Sequence, residues 1–353
     1  MTKTRLGFIG TGTMGQAAHL RNYASLAECE VVAMAELRAE TASRVASRYG
    51  VPHVYHDHRD MLAREKLDGI VCIQPFTHHG QLLPEVLRAG VPILTEKPLA
   101  ASVAMGERIV QAAHDARTWH MVGYHKRSDP ATIAAKAEID RLKHTGEIGP
   151  LRYVRITMPP GDWIAGGFND LINAGDATPV LLDDPPPADM DVDTFKDYVR
   201  FVNYYIHQVN LMRHMLGEAY RVVFVDSRDV LLVGESASGV TCTIEMAPYH
   251  TTVDWHESVL VTFERGFVRL DLPAPLALNR AGRVEIFRDP GSGAPPEHIR
   301  PELPALHAMR QQAIHFVRAI RGEMPPMCDS VEALEDLKLA REYVRLKHKV
   351  RAS

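Results

Sequence analysis

The sequence predicts an α/β protein with two parts: an N-terminal doubly wound parallel sheet, then an α/β domain on an open, mostly antiparallel sheet. Three observations predict it. Short, continuous apolar runs alternate with helical stretches over the first 125 residues. A glycine-rich turn separates the first run from the first helix. Beyond residue 143, strand candidates follow one another with few helices between them. Strands buried on both faces read as unbroken apolar runs, whereas rows of strands without crossover helices pair antiparallel.

In order, Leu6–Ile9 is the first strand, the glycine turn follows, and a helix starts near Met14. Val31–Ala35 is the second strand and Glu40–Tyr49 a helix; Gly69–Ile73, Pro92–Thr95 and Trp119–Gly123 complete the strands, separated by helices over Gly80–Ala89 and Ser102–Ala116. After a helix over Ile133–Lys143, the strand candidates are Val154–Met158, Arg221–Val225, Val230–Val233, Val240–Met246, Ser258–Phe263, Phe267–Leu272 and Val284–Phe287. One long helix, Phe195–Leu216, interrupts them, and Leu306–Arg321 and Val331–His348 close the chain. The acidic, proline-rich stretch LDDPPPADMDVD (Leu182–Asp193) is either a solvated loop or a lid beside a substrate, since long irregular loops in compact domains are often functional.

The bulk numbers fit two domains, at roughly 100–200 residues each, in a chain of 353 residues. The boundaries expected are 1–125 and 126–330, with the final helix, 331–348, able to pack back on the first domain. A net charge of −4 offers no basic footprint for nucleic acid or an anionic membrane, and no apolar run approaches the roughly 18 residues of a membrane span. Cys29, Cys72, Cys242 and Cys328 are scattered without pairing or metal-knuckle spacing, and the N-terminus runs straight into a strand. A cytoplasmic protein is the expectation. His53, His56 and His58 lack a carboxylate scaffold and are not expected to hold a metal.

Gly10-Thr11-Gly12-Thr13-Met14-Gly15 fits G-x-G-x-x-G in the context that gives that string its meaning: it follows a strand, opens a helix and precedes Glu36, 21 residues after Gly15 at the end of the next strand. Gly10 permits the tight turn, Gly12 lets backbone approach a pyrophosphate, and Gly15 lets helix and strand pack closely. The helix N-terminus offers N–H groups to phosphates. Glu36 would accept from ribose hydroxyls and repel a 2′-phosphate, favouring NAD, while Arg38 would partly reverse that preference. NAD is therefore the expected cofactor, with NADP also open.

Further motifs carry a resemblance: VCIQPFTHHG (Val71–Gly80), ILTEKPLA (Ile93–Ala100), VGYHKRSDP (Val122–Pro130) and YIHQVNLMRHMLGE (Tyr205–Glu218). With them the chain resembles the Gfo/Idh/MocA family of sugar and cyclitol oxidoreductases, in its inositol-dehydrogenase-like members, over nearly its whole length. The resemblance implies a Rossmann domain followed by a substrate-binding and oligomerisation domain, an activity on CH–OH groups, a small carbohydrate or cyclitol substrate, and a homodimer or homotetramer. It also implies a cis peptide before Pro98, and a nucleotide-binding role for Glu96, for Pro75 and for His79, which keeps the family's histidine while Phe76 replaces its asparagine.

Lys97 stands at the carboxyl end of a strand, where ligands of open α/β sheets bind, and its ammonium can stabilise a developing alkoxide. On the long helix, His207 aligns with the family's acid/base. The family's carboxylates four residues before and three residues after it are here Asn203 and Asn210, which share its helix face without supplying counter-charge. Three proton routes stay open: His207, Lys97 itself, or a hydroxyl of Tyr204 or Tyr205. Tyr124, Lys126, Arg127, Asp162, Trp163, Tyr204 and Asn210 are candidate substrate contacts. Two rival functions also stay open: NAD-dependent glycoside cleavage by transient oxidation and elimination, and a non-catalytic NAD-binding regulator.

Overall fold

The computed structural model describes residues 2–291 and 293–352. The chain divides into two compact units: Met1–Tyr124 with Gly166–Phe195 and Met309–Leu337, and His125–Ala165 with Lys196–Ala308 and Lys338–Ser353. The sequence alone places 166–195 and 309–330 with the second domain; both belong to the first unit.

The first unit is built on six strands: β1 (Thr4–Ile9), β2 (Cys29–Ala35), β3 (His53–Tyr55), β4 (Gly69–Cys72), β5 (Ile93–Glu96) and β6 (His120–Gly123). They run parallel in the order β3-β2-β1-β4-β5-β6. That is the doubly wound order whose crevice opens at the carboxyl ends, where the chain changes direction across the sheet. Every residue of β4, β5 and β6 is buried, as continuous apolar strands covered on both faces must be. Helix α1 runs in π geometry over Gly15–Leu20 and continues through Arg21–Tyr23; α2 (Ala39–Tyr49) stops at Gly50, left-handed at φ 68°. Next come α3 (His58–Arg64), α4 (His79–Leu87) and α5 (Val103–Asp115), the last capped by the Ser102 hydroxyl accepting from the Met105 N–H at 3.2 Å.

The core of this unit explains why a segment beyond residue 308 belongs to it. Phe8 of β1 meets Tyr23 edge-on at 5.5 Å, Tyr23 meets Phe316 at 6.3 Å, and Phe316 meets Trp119 at 5.7 Å. Edge-to-face packing of this kind adds to the area each ring buries. Phe316, fully buried with Ala313 and Val317, comes from the helix later in the chain, Ala308–Ile320.

The second unit carries α6 (Pro130–Thr145), β7 (Leu151–Thr157), α7 (Val192–Tyr204), α8 (Ile206–Leu216) and β8 to β14: Tyr220–Val225, Leu231–Ser236, Thr241–Glu245, Glu257–Phe263, Gly266–Leu272, Arg283–Arg288 and Glu297–Ile299. Helices α9 (Ala308–Ile320) and α10 (Ser330–Ala352) follow. The sheet order is β14-β13-β12-β11-β7-β10-β9-β8, antiparallel except for the β7–β10 pair. Its strands alternate: Val259, Val261 and Phe263 of β11 and Val268, Leu270 and Leu272 of β12 are buried, with their neighbours more open. Helices α6 and α8 pack on this sheet.

The single long helix expected over Phe195–Leu216 is two helices broken at Tyr205. Tyr205 takes φ −98°, ψ −1°, and its hydroxyl donates to the Met246 carbonyl just past β10. That bond holds the ring against the sheet at a point where the helix has to turn.

Candidate active site

In the first unit, each glycine of the turn has a separate steric reason. Gly10 lies at φ +86°, and a β carbon there would stand 2.2 Å from Gln74 Nε2 and 2.4 Å from the Ile73 carbonyl. At Gly15 a β carbon would meet the Gly10 carbonyl at 2.7 Å. Gly12 differs: the nearest atom to its β position is Arg38 Nη2, 4.0 Å away. The turn is tight behind and open in front, the shape a pyrophosphate needs for close approach to backbone at a helix start. Thr11 is buried, Thr13 exposed, and Met14 packs against the unit's core. These residues fit a dinucleotide.

Glu36 ends β2 and is 7% exposed. Its carboxylate accepts from the Thr11 N–H (2.9 Å) and hydroxyl (3.1 Å), and from Arg38 through N–H (3.2 Å), Nε (2.9 Å) and Nη2 (3.1 Å). Burial pushes its pKa up, but the Arg38 and Thr11 hydrogen bonds outweigh burial and hold it below the usual range. A carboxylate offers about four lone-pair sites. Glu36 is thus fully engaged by its own chain, and Arg38, which the sequence sets against Glu36 in the choice of cofactor, is its ion-pair partner.

At the end of β5, Glu96 is held through Oε1 by His19 Nε2 at 2.7 Å and through Oε2 by the Lys97 N–H at 3.2 Å. Burial raises the Glu96 pKa, but His19 and the Lys97 charge more than offset it and keep the carboxyl below its ordinary value. Lys97, half-buried, follows at once, and the Lys97–Pro98 peptide is cis. Two fully buried imidazoles brace this strand end: His79 Nδ1 lies 3.0 Å from the Leu99 carbonyl, and His120 Nε2 lies 2.8 Å from the Thr95 hydroxyl. His79 therefore supports the loop after Lys97 from within, where the sequence reading has it facing the cofactor. Pro75 is exposed and Tyr124 buried.

In the second unit, the turn His125–Ser128 is buried throughout. Lys126, expected at the substrate, is only 4% exposed; its ammonium pairs with Glu257 and lies 5.4 Å over the Trp255 ring. Glu257 also accepts from Gln208 Nε2 (2.7 Å) and Trp255 Nε1 (3.1 Å). A charge taken from water is tolerable only with such partners. Arg127 and Asn210, also expected at the substrate, are both buried and joined to each other, Nε to Oδ1, at 2.6 Å. These three residues tie α8 to the turn and the sheet. Asn203, on α7, is exposed while Asn210 is buried, because the break at Tyr205 interrupts the face the sequence draws through 203, 207 and 210.

His207, half-buried, meets His125 ring edge to face at 4.7 Å, and Tyr204 meets Tyr205 at 4.9 Å. Asp162 is exposed and accepts from the N–H groups of Ile164 and Ala165, both at 3.0 Å; Trp163 is half-buried and its carbonyl accepts from the Leu276 N–H at 3.2 Å. A small hollow, with room for about one water, opens beside this turn, lined by His125, Lys126, Asp129, Pro273 and Arg280 among others. His19, Glu257, Gln208 and His125 were not anticipated. Glu257 alone left a signal, since it shares the inward parity of Val259, Val261 and Phe263, where a carboxylate demands a cation.

A three-layer parallel sheet with an open glycine cradle and an engaged carboxylate after the second strand defines a dinucleotide-binding Rossmann protein. Residues 4–124 match the Gfo/Idh/MocA family, described as "Oxidoreductase family, NAD-binding Rossmann fold". Over that stretch the chain is similar to the Gfo/Idh/MocA oxidoreductases. Among its relatives, inositol 2-dehydrogenase 1 of Saccharopolyspora erythraea is 28% identical over 80% of this chain and 77% of its own. An oxidoreductase from Agrobacterium radiobacter, solved with NAD+, L-tartaric acid and magnesium, superposes with a TM-score of 0.71 at 14% identity, over 99% of this chain and 98% of its own. A 3-ketoreductase from Actinomadura kijaniata with NADP and TDP-benzene gives 0.68 at 19%, over 96% of both chains. At such identity the two structures show the shared fold.

Proposed function

We propose that the chain transfers a hydride between a nicotinamide cofactor and a secondary hydroxyl or ketone carbon of a sugar, sugar derivative or cyclitol. The observation that carries this reading is Lys97: an ammonium at the carboxyl end of β5, its preceding carboxylate locked by His19, in the same unit as the open glycine cradle. The relatives named for inositol oxidation and keto-reduction support the substrate class.

A bound nicotinamide supplies the hydride acceptor or donor. In the oxidation, the carbinol C–H bond breaks with its electron pair leaving as hydride, the hydroxyl proton leaves to a base, and the carbonyl forms. Lys97 donates to the reacting oxygen and stabilises its negative charge. His207 takes the proton in this direction and returns it in the reduction. Asn203 and Asn210 give this imidazole no counter-charge, so its protonated form gains no carboxylate support from them.

The test is NADH formation at 340 nm with NAD+ and a panel of pyranoses and cyclitols, and NADH consumption with their ketones. Absorbance change with at least one member is expected. A flat trace in both directions, with bound cofactor unchanged while a glycoside is cleaved, would replace this reading with oxidation–elimination.

A further inference from the structure

Residues 158–191 carry neither helix nor strand. Structureless stretches of this length in compact domains are uncommon and usually functional. From Gly166 the stretch belongs to the first unit, where it is fastened at the starts of three helices that rise from the carboxyl ends of the strands. Beside α1, Ile172 exchanges two hydrogen bonds with the Gln16 side chain, N–H to Oε1 and Nε2 to carbonyl, both 2.9 Å. Asp170 pairs with Arg21 and, at 2.7 Å, with Arg48. At α4, Asp184 accepts from the Gly80 N–H at 2.8 Å.

The middle anchor bears on cofactor choice. Asp176 accepts from the Glu40 N–H (3.0 Å), the Thr41 N–H (3.2 Å) and the Thr41 hydroxyl (2.5 Å). The Ala174 N–H donates back to that hydroxyl at 3.2 Å. This is the first turn of α2, directly after Glu36, where an adenosine ribose is met in this fold. Helix starts attract anions, and a 2′-phosphate would be read here by these N–H groups and by a nearby arginine. Both sets of donors are already held by carboxylates of the chain: the α2 start by Asp176, and the Arg38 guanidinium by Glu36.

We infer that Asp176 is a specificity-determining residue, which together with Glu36 selects NAD over NADP by occupying the place a 2′-phosphate would take. Glu36 takes the Arg38 guanidinium, and Asp176 takes the N–H groups of the helix start and adds a second negative charge there. The inference rests on the dinucleotide site described above and adds a residue 140 positions from Glu36 in the chain.

The test compares Kd for NADH and NADPH, read by fluorescence titration of the full-length protein, in the wild type, Asp176→Asn and Asp176→Ala. Asparagine keeps an acceptor for the α2 start, which it caps as well as aspartate does, and removes the charge. The wild type should prefer NADH. The ratio Kd(NADPH)/Kd(NADH) should fall about tenfold or more in Asp176→Asn, the size expected when a like-charge clash is removed, and the fall should shrink at high salt. A ratio within twofold of wild type in both variants, or a wild type that prefers NADPH, overturns the role of Asp176 and leaves the dinucleotide site standing. A wild type that binds neither coenzyme overturns the site itself, and the inference with it.

Discussion

Gly12 and Gly15 stand three residues apart and answer to opposite demands. A β carbon at Gly12 would meet no atom nearer than Arg38 Nη2 at 4.0 Å, so Gly12→Val should leave thermal stability near wild type and weaken NADH binding at least about tenfold, because branched carbons fill the approach to the pyrophosphate. A β carbon at Gly15 meets backbone at 2.7 Å, so Gly15→Ala should lower Tm, by about 1–3 kcal/mol of overpacking. Thermal melts and NADH titrations on both variants check the pair; a Gly12→Val protein that binds NADH normally would contradict it. At this scale, what was legible in the sequence was what is local in it. The glycine turn, Glu36 and Glu96-Lys97-Pro98 each act within a few residues. The pairings of Lys126 and Arg127 were not legible, because their partners, Glu257 and Asn210, lie 131 and 83 residues away. A basic residue after a strand end looks the same whether it faces a ligand or a buried carboxylate.

The end of β5 is an element held from behind by imidazoles that burial keeps neutral. Burial pushes His79 down to about 4 and His120 down to about 3 from an ordinary value of 6.5. The unfolded chain therefore binds protons before these groups do in the fold. Their stabilisation is complete above about pH 6.5 and is lost as pH falls through the folded values, at a slope of at most about 1.4 kcal/mol per pH unit for each group. In the second unit, Asp129 runs the other way: burial raises it to about 6, so its contribution falls as pH rises. The difference between the wild type and His120→Gln isolates the imidazole. Urea midpoints should drop from pH 7 to pH 5 in the wild type by more than in the variant, and equal drops would contradict this account. The regular elements were legible from their periods. β3 and β14, three residues each, offer no apolar run, and the break at Tyr205 depends on a carbonyl 41 residues later.

At the scale of the whole molecule, the chain visits each compact unit more than once, and this was the least legible feature. Amphipathic spacing announces a helix near residue 308 but not which core its Phe316 enters; the ring chain Phe8–Tyr23–Phe316–Trp119 joins residues from both ends of the sequence. The same holds for the segment around Asp176, whose composition reads as loop and whose anchors are at Gln16, Thr41 and Gly80. The activity proposed for the whole chain turns on Lys97 at the end of β5. The most direct measurement is single-turnover NADH formation at 340 nm, on a substrate found by the sugar and cyclitol screen, in the wild type and Lys97→Met. Loss of the ammonium should slow the step by about 10²–10³-fold, the scale of one preorganised donor to a developing oxyanion, while NADH still binds. A Lys97→Met protein that turns over within threefold of the wild type would contradict the account.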